Sequence, residues 1–145
     1  MDFLTAIRIS TSGLKAQRTR MNVVSSNLAN MNTTRTPEGG PYRKKEVIVS
    51  ATDVKNKFGQ ELTNSLNGKL KEANVSDVVE DQSTPKMVYE PSHPDANEQG
   101  YVAYPNINLM QEMVNLMSAS RSYEANITAI NASKSLALKA LELGR

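Results

Sequence analysis

The sequence predicts a mainly α fold: long N- and C-terminal helices pair as a coiled coil, with a small β-rich insert between them. Three observations predict it. Apolar residues recur at heptad spacing over the first thirty residues. A second, wider stripe of the same kind runs through the last forty. Between them the periodicity breaks into short β-branched runs separated by Pro- and Gly-containing turns. This gives residues 1–35 to an N-terminal helix, 36–106 to the insert and 107–145 to a C-terminal helix.

In the first helix Ile7, Leu14, Met21 and Leu28 stand seven apart, and Leu4 lies three before Ile7. Their companion positions are Thr11, Arg18 and Ser25, so the seam is only half apolar. The run Thr33-Thr34-Arg35-Thr36-Pro37-Glu38-Gly39-Gly40-Pro41 ends the helix. Short strands are expected at 45–49, 75–80, 86–89 and 101–104, whereas 50–70 is polar and ambiguous. Residues 90–100 read as a loop. In the last helix Leu109, Met113, Leu116, Ser120, Tyr123, Ile127, Ile130, Lys134, Ala137 and Leu141 follow steps of four and three. Met110, Met117 and Leu138 widen that stripe. Asn106 or Asn108 can cap its start, Asn108 with Gln111 having capping-box spacing, and Gly144 is an end signal.

Composition narrows the function. The 145 residues include no Trp and only two Phe and five Tyr, thin material for a large independent core. With no Cys, zinc–cysteine sites, disulfides and thiol catalysis are excluded. The net charge of +2 predicts no polyanion partner. Residues 1–35 carry five basic groups and one acid, and 36–106 carry eight and eleven, a weak mutual attraction. Arg8 and several hydroxyl residues interrupt the N-terminal apolar run, so no secretory signal is expected.

Candidate chemistry is sparse. His93, between Ser92 and Pro94 with Asp95 nearby, reads as a polar turn, because neighbours this close are rarely aligned as nucleophile, base and orienter. Arg43-Lys44-Lys45 reads as a solvated strand edge, and Glu38-Gly39-Gly40-Pro41 as a turn without the ending of a phosphate loop. Asp77, Glu80 and Asp81 match no calcium-loop pattern. No enzyme activity, metal, cofactor, nucleic acid or small-molecule substrate is expected. The helical stripes are the strongest feature. They fit an intramolecular hairpin or an intermolecular bundle; a narrow first seam and extra strips on the last helix favour the bundle.

Specific segments carry a family resemblance. Ser12-Gly13-Leu14-Lys15-Ala16-Gln17 and Met21-Asn22-Val23-Val24-Ser25-Ser26-Asn27-Leu28-Ala29-Asn30-Met31-Asn32-Thr33 resemble the N-terminal signature of bacterial flagellar rod and hook axial proteins. Residues 108–117 with Arg121-Ser122-Tyr123-Glu124-Ala125-Asn126 are similar to that family's other end. The central pieces Gly39-Gly40-Pro41-Tyr42-Arg43, 88–96 and 100–106 narrow the likeness to a proximal rod component.

The resemblance implies a structural subunit of a helical tube around an export channel, passing torque across the periplasm. It implies export by the flagellar type III apparatus without a cleaved signal. The implied partners are further copies of the chain, other rod proteins, and the adaptor and export gate at the rod base. Assembly contacts are expected from Leu4, Ile7, Leu14, Met21 and Leu28 on the first helix. On the last they are expected from Leu109, Met110, Met113, Leu116, Met117, Tyr123, Ile127, Ile130 and Leu141. Asn27, Asn30 and Asn32 would form a signature turn closing the first helix. The alternative is a cytoplasmic helical adaptor or export chaperone binding a partner helix in a Met-rich groove.

Overall fold

The run from Phe3 to Ala29 has no proline, and its single glycine, Gly13, does not break it. In the computed structural model, which describes residues 3–54 and 70–143, it forms helix α1 (Phe3–Ala29), roughly 40 Å long at ~1.5 Å per residue. The chain continues through β1 (Lys45–Asp53), β2 (Lys71–Glu80), β3 (Lys86–Tyr89), β4 (Tyr101–Tyr104) and α2 (Leu109–Leu143). The predicted layout of two helices with a small β insert therefore holds.

The strands form two separate antiparallel hairpins, β1–β2 and β3–β4. β3 and β4 occupy the predicted positions; β1 runs four residues further than expected and β2 starts four earlier. The reason is mutual pairing: Lys45 stands opposite Glu80 and Asp53 opposite Lys71, so polar residues of weak strand propensity are carried by the ladder. A register irregularity at Ile48/Val49 bends the ribbon. Of the ambiguous stretch 50–70, residues 50–53 are strand, and most of the remainder lies outside the described residues, as does Gly144.

Helix α2 is antiparallel to α1: Asn126 lies against Gly13 and Glu112 against Asn27. In that register the start of α1 falls opposite about residue 136 of α2. The α2 N-cap is Asn108, whose Oδ1 accepts from the backbone N–H groups of Met110 (3.0 Å) and Gln111 (3.3 Å). The expected capping box is only half made, because the Gln111 side chain donates to Asn115 instead. The first hairpin lies along α1. Ser12 Oγ accepts from Ala73 N (3.0 Å), and Arg8 holds the Glu72 carboxylate with two nitrogens (2.9 and 3.2 Å).

The second hairpin leads into α2 through buried Pro105. Val102 is fully buried, and Tyr89 and Tyr101 pack edge to face across the strands at 5.3 Å. Gly100 closes this loop at φ +79°, a left-handed conformation that suits glycine, and a Cβ there would sit 2.8 Å from the Tyr89 ring and 3.2 Å from Pro91. Gly39 has φ +90° but open space around it. Replacing Gly39 by Ala is expected to cost about 1 kcal/mol from backbone strain alone. Gly100→Ala should cost visibly more, because the ring must also move. Denaturant unfolding of the two variants checks the order; equal losses would contradict the packing of Tyr89 on Gly100.

Candidate assembly interface

The contact between the helices is made by small and polar side chains. Thr5, Ala16, Val24 and Asn27 are the buried residues of α1. On α2, Glu112 and Ala119 are buried, and with Asn126 they stand seven apart. Small residues let the axes approach closely. At Gly13 the approach leaves only 3.0 Å between an added Cβ and Asn126 Nδ2.

This face differs from the apolar stripe read in the sequence. At 100° per residue, the stripe lies on average about 130° around α1 from the buried face, from about 160° at Ile7 to about 100° at Leu28. All four are half-buried, and Leu4 is 69 % exposed. On α2 the stripe is split. Leu116, Tyr123 and Ile130 are half-buried, whereas Leu109, Met113, Ile127 and Leu141 are exposed. Met110, at 70 % exposure, Val114 and Met117 stand beside them. Apolar spacing identifies a face that seeks cover; it does not say whether the cover comes from the same chain.

The polar junction at the other end was not foreseen in this form. Asn27, expected in a turn, sits inside α1 and is 1 % exposed. Its Nδ2 donates to Lys45 O (2.9 Å) and to Glu112 Oε2 (3.2 Å). Its Oδ1 accepts from Lys45 N (2.9 Å) and Tyr42 OH (3.2 Å). The amide thus pairs with the first residue of β1 as a neighbouring strand would. Glu112, equally buried, also receives Asn115 Nδ2 (3.2 Å) and Lys44 Nζ (3.4 Å). Asn30 closes the helix by donating to Ser26 O (2.9 Å) and accepting from Thr33 Oγ1 (3.3 Å); Asn32 is exposed.

The basic cluster is consumed internally. Lys44 pairs with Glu46 (2.9 Å) and Glu112, Lys45 with Glu80 (3.6 Å), and Arg43 donates to Gln82. Its middle residue departs from the strand-edge expectation, since Lys44 reaches a buried carboxylate. Hydrogen bonding to Glu46 raises the Lys44 pKa above its ordinary 10.5; burial opposes this, and the Glu112 charge adds to it.

The other candidates resolve into local structure. His93 Nδ1 accepts from Asp95 N (3.1 Å) as part of a turn, while the Asp95 carboxylate takes Thr34 Oγ1 (2.8 Å). Gly39 N donates to Thr36 O in the expected turn. Asp77 accepts from Val78 N and Asp81 from Ser83. Among the described residues no three His, Cys, Asp or Glu side chains come together as metal ligands, and no helix is long and apolar enough to cross a membrane.

Two predictions follow from the junction. Asn27→Ala removes four hydrogen bonds and leaves Glu112 short of a donor, for a loss of about 2–3 kcal/mol in denaturant unfolding; a loss within error of zero would deny the junction its role. A raised lysine pKa contributes stability that is complete below the unfolded value and lost as pH climbs through the folded one. The stability difference between wild type and Lys44→Met should therefore be constant at neutral pH and shrink above pH 10.5. A difference that does not narrow there counts against the Lys44 pairing.

Comparison with known proteins gives the geometry its context. The family model described as flagella basal body rod protein matches residues 7–35, within α1 and the turn after it. The model described as flagellar basal body rod FlgEFG protein C-terminal matches 98–143, covering β4 and α2. The flagellar basal-body rod protein FlgC of Bacillus subtilis is 47 % identical over 97 % of both chains. That of Borreliella burgdorferi is 43 % identical over 99 % of this chain and 98 % of its own. That of Salmonella typhimurium is 44 % identical over the whole of both. The chain is a structural component of the flagellar basal body rather than an enzyme or an adaptor, and it belongs to the flagellar basal-body rod protein FlgC family.

Proposed function

We propose that this chain is a subunit of the proximal rod, polymerising through its terminal helices into the tubular shaft that transmits torque and encloses the export channel. One observation carries the reading: α2 is apolar on faces that α1 does not cover. Leu109, Met110, Met113, Val114 and Met117 are exposed near its start, and Leu136, Leu138 and Leu141 near its end. Such a helix needs further neighbours.

In this reading the helices of residues 1–35 and 107–145 form a coiled-coil axial domain, and 36–106 is an insert carried on it. Leu4, Ile7, Leu14, Met21 and Leu28 meet neighbouring subunits on one side, and the exposed α2 residues do so on the other. The neighbours are further copies, other rod proteins and the adaptor and export gate at the rod base. The rod spans the periplasm, and the chain arrives through the type III export apparatus without a cleaved signal.

The reading is tested by co-purification with detergent-washed basal bodies. Met113→Asp and Met117→Asp place a charge on the exposed strip without touching the helix–helix contact. Both should fold as wild type by circular dichroism yet drop incorporation at least about tenfold, the cost of an unpaired charge in an interface. Wild-type incorporation of both variants, or hooks and filaments in a strain lacking the chain, would end the reading.

A further inference from the structure

We propose that Met110, Met113 and Met117 form a methionine oxidation site, and that their conversion to sulfoxides blocks entry of the chain into an assembly. This rests on the assembly reading above.

The three side chains lie within two turns of α2 and within about 60° of one another around its axis. All three are exposed, at 70 %, 47 % and 54 %. The chain has no Cys and no Trp, so no thiol or indole competes for an oxidant and the thioethers are its most readily oxidised groups. Met21 and Met31 are half-buried and so partly shielded. Met87, on β3, is as exposed as the α2 residues but away from the helical face, and serves as an internal comparison.

The chemistry is a two-electron oxidation by a peroxide. The sulfur lone pair attacks the terminal peroxide oxygen and the O–O bond breaks. One oxygen stays on sulfur, and the other leaves as water when the oxidant is hydrogen peroxide. Each sulfoxide turns a flexible apolar side chain into a strongly polar one. On a solvated helix face this costs the monomer little. Once the face is covered, each S–O dipole must be buried without a prepared donor. Oxidation therefore leaves the fold intact while removing the apolar character that docking needs.

The experiment has two arms. Purified full-length chain is treated with hydrogen peroxide and mapped by peptide mass spectrometry. Met110, Met113, Met117 and Met87 should oxidise about tenfold faster than Met21 and Met31, as exposure dictates. Equal rates at all six would overturn the site. In the second arm, cells are exposed to peroxide while basal bodies are being built, and the chain is counted in washed basal bodies. Wild type should fall severalfold. A variant with Met110→Leu, Met113→Leu and Met117→Leu should resist, and Met87→Leu should behave as wild type. Met113→Gln, which mimics the polar sulfoxide, should reduce incorporation without oxidant and keeps the test decisive if the triple variant assembles poorly. A triple variant as sensitive as wild type, or a Met113→Gln chain incorporated normally, overturns the proposal and leaves the rod reading standing. Absence of the untreated wild-type chain from basal bodies would instead remove the reading and the proposal together.

Discussion

The side-chain amide of Asn27 is where the three parts of the fold are tied. It sits on α1, takes the backbone N–H and C=O of Lys45 at the start of β1, and donates to Glu112 on α2. A buried amide without partners is costly, and a buried carboxylate more so. Here each satisfies part of the other, with Tyr42, Asn115 and Lys44 completing the set. The arrangement works only if the helices and the hairpin are all in place, so it specifies one mutual orientation more than it adds raw stability. Ser12 and Arg8 then fix the far end of the same hairpin on α1.

That junction stands out because apolar burial elsewhere is slight. Among the described residues the buried apolar side chains are Ala16, Val24, Val102, Pro105 and Ala119, and all are small. The larger ones are half-buried or exposed, on the helices and on both hairpins. A chain built this way is held in shape by polar specificity and close backbone approach at Gly13. Much of its apolar surface stands exposed on the single chain.

Much of the architecture is legible in the sequence. Heptad spacing located both helices, and of the four short extended stretches read between them two lie at the expected positions. Of the two cap candidates, Asn106 and Asn108, the second caps α2, and His93 lies in a turn as read. The interior was harder to read. Lys44 looked like a surface charge and Glu112 carried no signal of burial, because residue type reports average exposure and not the particular partner that makes burial tolerable. Asn27 looked like a helix closer for the same reason. Gly13, Ala16 and Ala119 carried a faint signal, small residues at helical spacing, which a search for large apolar residues passes over.

The sequence by itself determined the elements, the absence of cysteine chemistry and, through its end motifs, the family, since these depend on local periodicity and residue identity. Only the tertiary structure decided which face of each helix turns inward. Periodicity marks every apolar stripe alike, whereas the inward choice follows from which side chains are small enough to let the axes approach and which polar groups find partners across the gap. The large residues at heptad spacing were thereby left, in good part, to face outward.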